Sequence, residues 1–273
     1  MKKISSILLI IISLAGVFLI GWRTFFTVTE GILADLPPLP QNLSAEILPP
    51  EISLTEPLPI FMYHHVKDYP SGKTKENTRI IVSPANFQSQ INWLVTNGFE
   101  TVDFSYLENP VKLSKKPIIL TFDDGYQDAY TQVFPILKKY NLTATFYLVI
   151  GDIGKSGSLT KNQILEMQQA GMKFGSHSLT HPDLTKISRK QAQEQIYGSK
   201  KLLEQQIRTE VKDFCYPGGT FNHDIENIVI NSGYTTATII GNEINTEKIN
   251  PFELKRLDII NDTNFENLTI LKY

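Results

Sequence analysis

The feature that most limits how this chain can fold is an alternation that begins after Pro59. Short apolar runs follow one another, and most are separated by segments with readable helix start and stop signals. The runs read as strands at Ile60–His64, Phe99–Phe104, Ile118–Phe122, Ala144–Ile150, Met172–Gly175, Val211–Tyr216, Tyr234–Ile240 and Arg256–Ile260. Ser83-Pro84 sets a cap ahead of proline at the first helical position, and Gly98 ends that helix. Thr160 with Gln163 forms a capping box before Ile164–Ala170, which Gly171 closes. Ser188 with Gln191 opens a long helix to about Gln206, and Asn222 and Gly233 bracket another. Strands alternating with helices predict a parallel α/β sheet, and about eight of them in one domain predict a barrel.

The region before Pro59 differs in kind. Lys2-Lys3 precede an almost uninterrupted apolar stretch, Ile4 to Trp22, with no charge inside. At roughly 19 residues it approaches the ~20 that cross a bilayer as a helix. The leading lysines favour a cytoplasmic N-terminus. No clear small-x-small cleavage site follows Ile20, so an uncleaved anchor over residues 1–23 is expected ahead of a cleaved signal peptide. Prolines 37, 38, 40, 49, 50, 57 and 59 then mark residues 24–58 as an extended linker, leaving 59–273 as the globular domain. The net charge of −2 gives no basic face for nucleic acid. One cysteine, Cys215, rules out an intramolecular disulfide. No protein partner is expected.

Chemistry in α/β folds sits at the carboxyl ends of the strands. His64 ends the first run, Asp123 and Asp124 end the third, His177 and His181 follow the fifth, and Pro217-Gly218-Gly219 follows the sixth. Four elements thus converge on one rim. Asp124, His177 and His181 are three ligands of the type zinc accepts, with a fourth position left open. Asp123 is the natural general base beside them. The Pro217-Gly218-Gly219 turn offers backbone N–H groups to an oxyanion, or is an ordinary turn. Within Tyr63-His64-His65-Val66, adjacent residues face opposite sides, so one histidine at most enters the site. A histidine near pH 7 can protonate a departing amine.

Thr121-Phe122-Asp123-Asp124-Gly125 and His177-Ser178-Leu179-Thr180-His181 resemble the first two motifs of the NodB-homology polysaccharide deacetylases, a carbohydrate esterase family. The resemblance covers roughly Pro59 to Ile260. It implies a distorted (β/α) barrel that removes acetyl groups from N-acetylated sugars in chitin, peptidoglycan or exported poly-N-acetylglucosamine. It also implies a divalent metal held by Asp124, His177 and His181, with Asp123 as base. Zinc is the expected ion, with cobalt or nickel as alternatives. An N-acetylated polysaccharide is the expected substrate, and the membrane the other partner. The family's third motif, Arg-Pro-Pro-Tyr, is replaced by Cys215-Tyr216-Pro217-Gly218, so the arginine that usually holds the base is missing. Tyr216, Pro217 and Gly218 are expected at the substrate or oxyanion. Arg256 is either a substitute base-orienting group or a plain surface arginine, the latter favoured. No histidine follows His223, so the late Leu-x-His motif is also absent. The early Tyr-His resembles a variant group that includes poly-N-acetylglucosamine deacetylases, which assigns the acid to His64, with His65 the lesser candidate. Peptidoglycan is the alternative substrate, and a non-catalytic glycan-binding homologue the alternative class. The absence of His-Glu-x-x-His argues against a zinc peptidase.

Overall fold

The run Lys116–Phe122 organises the fold, because three other strands pair with it. In the computed structural model, which describes residues 46–69, 79–110, 113 and 115–268, eight strands form the main sheet. They are β1 (Ile60–Tyr63), β2 (Phe99–Thr101), β3 (Lys116–Phe122), β4 (Thr145–Leu148), β5 (Lys173–Ser176), β6 (Asp213–Cys215), β7 (Thr236–Ile240) and β8 (Leu254–Asp258). All their pairings are parallel. The order β1-β8-β7-β6-β5-β4-β3 closes through a β3–β1 pairing, so seven strands make the barrel. The eighth, β2, pairs with the start of β3 (Phe99↔Lys116 to Thr101↔Ile118). The end of β3 pairs with β1 (Ile60↔Ile119 to Tyr63↔Phe122). This leaves a barrel one strand short of the regular eightfold form.

Five helices lie between the strands: α1 (Pro84–Thr96), α2 (Phe134–Lys139), α3 (Lys161–Gln169), α4 (Arg189–Ile207) and α5 (His223–Asn231). The expected caps form. Ser83 Oγ accepts from the Asn86 N–H at 3.2 Å, and Asn222 Oδ1 from that of Ile225 at 3.0 Å. Capping boxes are complete at Thr160/Gln163 and Ser188/Gln191. Such caps stabilise a helix start by about 0.5–2 kcal/mol each.

One cluster fills the barrel, with Leu58, Ile60, Ile119, Tyr147, Cys215 and Leu254 meeting Phe104, Tyr106 and Leu107. On the other face of β1, β3 and β4, Phe122 stacks between Tyr63 (5.1 Å) and Phe146 (5.0 Å). Phe87 of α1 meets Tyr63 edge-on at 5.4 Å. Alternation along the strands supplies both layers, since successive side chains point to opposite faces.

The expected free spacer is corrected over its last part. Ile52–Ser53 pairs antiparallel with Lys248–Ile249, and the Leu54 N–H donates to the Glu247 carbonyl at 2.7 Å. Leu58 is fully buried, and Ile52 and Leu54 pack on the same cluster. Proline holds this segment extended, as expected, but Ile52, Leu54 and Leu58 between the prolines are apolar and gain by burial. The domain therefore begins before Pro59. The apolar stretch Ile4–Trp22 and linker residues 24–45 lie outside the described residues. Among those described, no helix is long and apolar enough to cross a membrane.

Candidate active site

Asp123 follows β3 directly and donates its N–H to the Tyr63 carbonyl at 2.9 Å, which continues the β1–β3 ladder. Its carboxylate is 3% exposed and faces Arg256 of β8, which is 1% exposed. The pair is bidentate, with Nη1 to Oδ1 at 2.7 Å and Nη2 to Oδ2 at 2.8 Å. The guanidinium also donates to Thr121 Oγ1 (3.1 Å), Cys215 Sγ (3.1 Å) and the Ile239 carbonyl (3.3 Å). All five of its N–H groups are thereby used. Burial pushes the Asp123 pKa up. The Arg256 charge and hydrogen bonds outweigh burial and hold the carboxyl well below the usual carboxylate range. The expectation of a surface arginine is overturned. Arg256 shares a strand face with the fully buried Leu254, so alternation turns it into the barrel.

Two adjacent carboxylates on a strand would diverge. Here Asp124 takes φ 71° and Gly125 φ 71°, a left-handed turn that brings Asp124 out of the strand's alternation. Its Oδ1 lies 3.6 Å from His177 Nε2 and 3.7 Å from His181 Nε2, and those two nitrogens are 3.1 Å apart. Three ligand atoms bound at 2.0–2.1 Å to a tetrahedral ion would be about 3.3–3.4 Å from one another, so the set fits a zinc-like ion. His177 Nδ1 is 2.8 Å from the Cys215 carbonyl, which can only accept. Nδ1 therefore carries the proton and Nε2 offers its lone pair to the site. Burial and the neighbouring His177 lower the His181 pKa, which keeps its imidazole neutral near pH 7, as a ligand must be. A second set, Asp123, His177 and Cys215, also clusters, but Arg256 donates to two of its three members and repels a cation.

The histidine motif is a loop, as Gly175 and Pro182 suggest. Ser178 (φ 66°) and His181 (φ 58°) are left-handed, and Ser178 Oγ accepts the His181 N–H at 2.9 Å. Gln195 of α4 fixes the loop from below, its Oε1 accepting the Leu179 and Thr180 N–H groups at 3.0 Å each. Nothing in the sequence marks Gln195 for this work, because the contact is made across a helix–loop packing. Thr121 and Cys215 are also missed. Their place in the Arg256 shell follows from lying on the inward face of β3 and β6.

His64 and His65 diverge, as adjacent residues after a strand should. His64 Nε2 is 4.0 Å from Asp123 Oδ2, at the mouth of the site. His65 turns away, and its Nδ1 is 2.6 Å from Asp128 Oδ2. The Tyr216 side chain is fully buried and stacks on Phe221 at 4.8 Å, so only its backbone can line the site. It faces opposite to the inward Cys215, which corrects its expected contact with substrate. In the following turn Pro217 has no N–H, and that of Gly219 donates to the Tyr216 carbonyl at 2.8 Å. Gly218 sits at φ 64° with open space where a Cβ would project.

Comparison with known proteins agrees with this geometry. The polysaccharide deacetylase family matches residues 111–237. YxkH of Bacillus subtilis (strain 168) is 33% identical over 181 residues, 65% of this chain and 62% of that protein. The chain thus spans less than two thirds of YxkH. A poly-β-1,6-N-acetyl-D-glucosamine N-deacetylase of Staphylococcus aureus (strain MRSA252) is 26% identical over 231 residues, 76% of this chain and 79% of that one. Among solved structures, the Streptococcus pyogenes deacetylase PplD in complex with acetate superposes with a TM-score of 0.72 at 29% identity, over 78% of this chain and 97% of that one. The family match runs from just before β3 into β7 and takes in Asp123, Asp124, His177, His181 and Cys215; over residues 111–237 the chain carries a polysaccharide deacetylase domain.

Proposed function

We propose that this protein is a metal-dependent hydrolase that removes N-acetyl groups from an N-acetylglucosamine-containing polysaccharide, with an exported poly-N-acetylglucosamine-like polymer as the favoured substrate. One observation carries the chemistry: an ionised carboxylate, Asp123, clamped by Arg256 beside a three-ligand Asp124–His177–His181 set. The Staphylococcus aureus relative supports the substrate class.

Asp124, His177 and His181 would hold the ion, with zinc the expected species. A divalent metal bound there would supply Lewis-acid polarisation of the acetamide carbonyl and a more acidic water. Asp123 accepts a proton from the attacking water. Its buried pair with Arg256 keeps it ionised and fixes its direction, and Oδ2 faces His64. The Gly218 N–H donates to the carbonyl oxygen as that atom gains charge. As the C–N bond breaks, His64 gives a proton to the departing amine and acetate is released. Each turnover leaves a free amine on the polymer.

The test is acetate release from N-acetylglucosamine oligomers by the full-length protein, before chelation, after it, and after zinc or cobalt is restored. Activity should vanish on chelation and return with metal. His64→Ala should cost roughly 10²–10⁴-fold in kcat, the usual worth of a positioned acid, with KM little changed. Chelation without effect would sink the metal reading, and an active His64→Ala would remove His64 from the mechanism.

The same reading has the domain outside the cytoplasmic membrane, held by an N-terminal anchor. Lys2-Lys3 ahead of the charge-free Ile4–Trp22 stretch support it. Protease added to intact protoplasts should digest the domain, and protection would overturn this location.

A further inference from the structure

His181 is the most exposed of the three ligands, its side chain 42% accessible against 19% for Asp124 and 3% for His177. His177 follows β5 directly. Its N–H donates to the Leu148 carbonyl at 2.8 Å, and its ring is tied to the Cys215 carbonyl. Where His181 stands is therefore decided by the backbone that joins it to His177. That backbone needs support. Ser178 and His181 are both non-glycine residues in the left-handed region, a conformation that persists only where the surroundings impose it.

Two neighbours impose it. After β4, the Ile150 N–H donates to the Ser178 carbonyl at 3.2 Å and the Gly151 N–H to the Leu179 carbonyl at 2.8 Å. From the other side comes α4. Gln195 Oε1 accepts the consecutive Leu179 and Thr180 N–H groups at 3.0 Å each, and its Nε2 donates to Thr180 Oγ1 at 2.9 Å. One turn further along α4, Ser199 Oγ accepts from Ser176 Oγ at 2.7 Å, and Ser176 Oγ accepts the Ser178 N–H at 3.2 Å. Gln195 and Ser199 are four residues apart and so share one helix face. The loop's carbonyls thus go to one neighbour and its N–H groups to the other. With a single carboxamide, Gln195 fixes both peptides flanking Leu179, directly before the turn to His181.

We propose that Gln195 is a positioning residue for the metal site, one that sets where His181 stands relative to His177 before an ion arrives. Gln195 is neutral and touches no ligand side chain, so it acts through the loop alone. The inference rests on the metal-site reading above, and its test keeps the two apart.

Zinc affinity is measured by chelator competition on full-length protein stripped of metal, for wild type, Asp124→Asn, Gln195→Met, Gln195→Glu and Gln191→Met. Gln195→Met keeps the length of the side chain and removes its acceptor and donor. It should bind zinc roughly 10–100-fold more weakly, the usual effect of losing an outer-shell partner. Gln195→Glu still offers an oxygen to both N–H groups and should stay within about threefold of wild type. Gln191→Met breaks the capping box at the start of the same helix. It should lower the melting temperature and leave zinc affinity within about twofold, which separates positioning from general loosening of α4. Gln195→Met within about twofold of wild type, while Asp124→Asn loses zinc, would overturn the proposal. So would an equal loss in Gln191→Met, or a Gln195→Glu as weak as Gln195→Met. A wild-type protein that binds no zinc would fail the metal-site reading and this one with it. Should Gln195→Met not fold, Gln195→Asn, whose shorter amide cannot span the same gap, takes its place with the same expected loss.

Discussion

Asp123→Asn should lower kcat by about 10²–10⁴-fold, the range a positioned general base contributes, while zinc content stays at the wild-type level. Asparagine has the shape of aspartate but cannot take a proton from water at neutral pH. The metal ligands are Asp124, His177 and His181 in the proposed site, so the substitution leaves the three ligand atoms in place. Arg256 still finds one acceptor oxygen, but a second contact becomes donor against donor, because Nη1 and Nη2 bond different carboxylate oxygens. Some loss of stability should therefore accompany the loss of rate. The two are separated by measuring kcat well below the melting transition, together with zinc stoichiometry. A variant that keeps more than about a tenth of wild-type kcat would remove Asp123 as the base, since the expected loss starts at 10².

The second large effect should come from Arg256→Met. Removing one partner of a buried ion pair leaves an uncompensated charge and costs about 3–5 kcal/mol. For a domain of this size that amounts to a melting temperature lower by roughly 6–20 °C. Asp123→Asn in the Arg256→Met background should recover part of the loss, because no buried charge is then left alone. The pH dependence changes sign as well. In wild type the folded Asp123 pKa lies below its unfolded value of about 3.9, so the pair's contribution is complete above that pH and fades as pH falls toward the folded pKa. Without Arg256, burial dominates and the folded pKa moves above the unfolded one. The metal-free variant should then lose stability relative to wild type as pH rises above about 4. Parallel melting curves for the two proteins between pH 3 and 7 would show that the pair contributes nothing of this kind.

Arg256 also shows where sequence reasoning stopped short. Reading the last strand as Arg256–Ile260 put the arginine at a strand entrance, where a charged side chain usually reaches solvent. The strand is Leu254–Asp258, two residues earlier, and places Arg256 mid-strand and facing inward. Lys255 next to it obscured the apolar signal of Leu254. The spacer misled for a related reason. Proline density argues for extended backbone, but an extended segment can lie along a barrel as readily as in solvent, and the burial of Leu58 is a tertiary fact.

Two kinds of information separate here. Helix caps, strand order along the chain, and the gathering of Asp123, Asp124, His177 and His181 at one rim were legible in the sequence. They depend on local periodicity and on the rule that parallel strands end on one side. Four matters depended on the tertiary structure: that seven strands close the barrel and an eighth does not, that Arg256 from β8 holds Asp123 from β3, that Tyr216 faces away, and that His64 alone of its pair meets the site. Each depends on contacts between residues tens to more than a hundred positions apart, or on a one-residue choice of strand phase. Local sequence leaves such choices nearly degenerate, and packing resolves them.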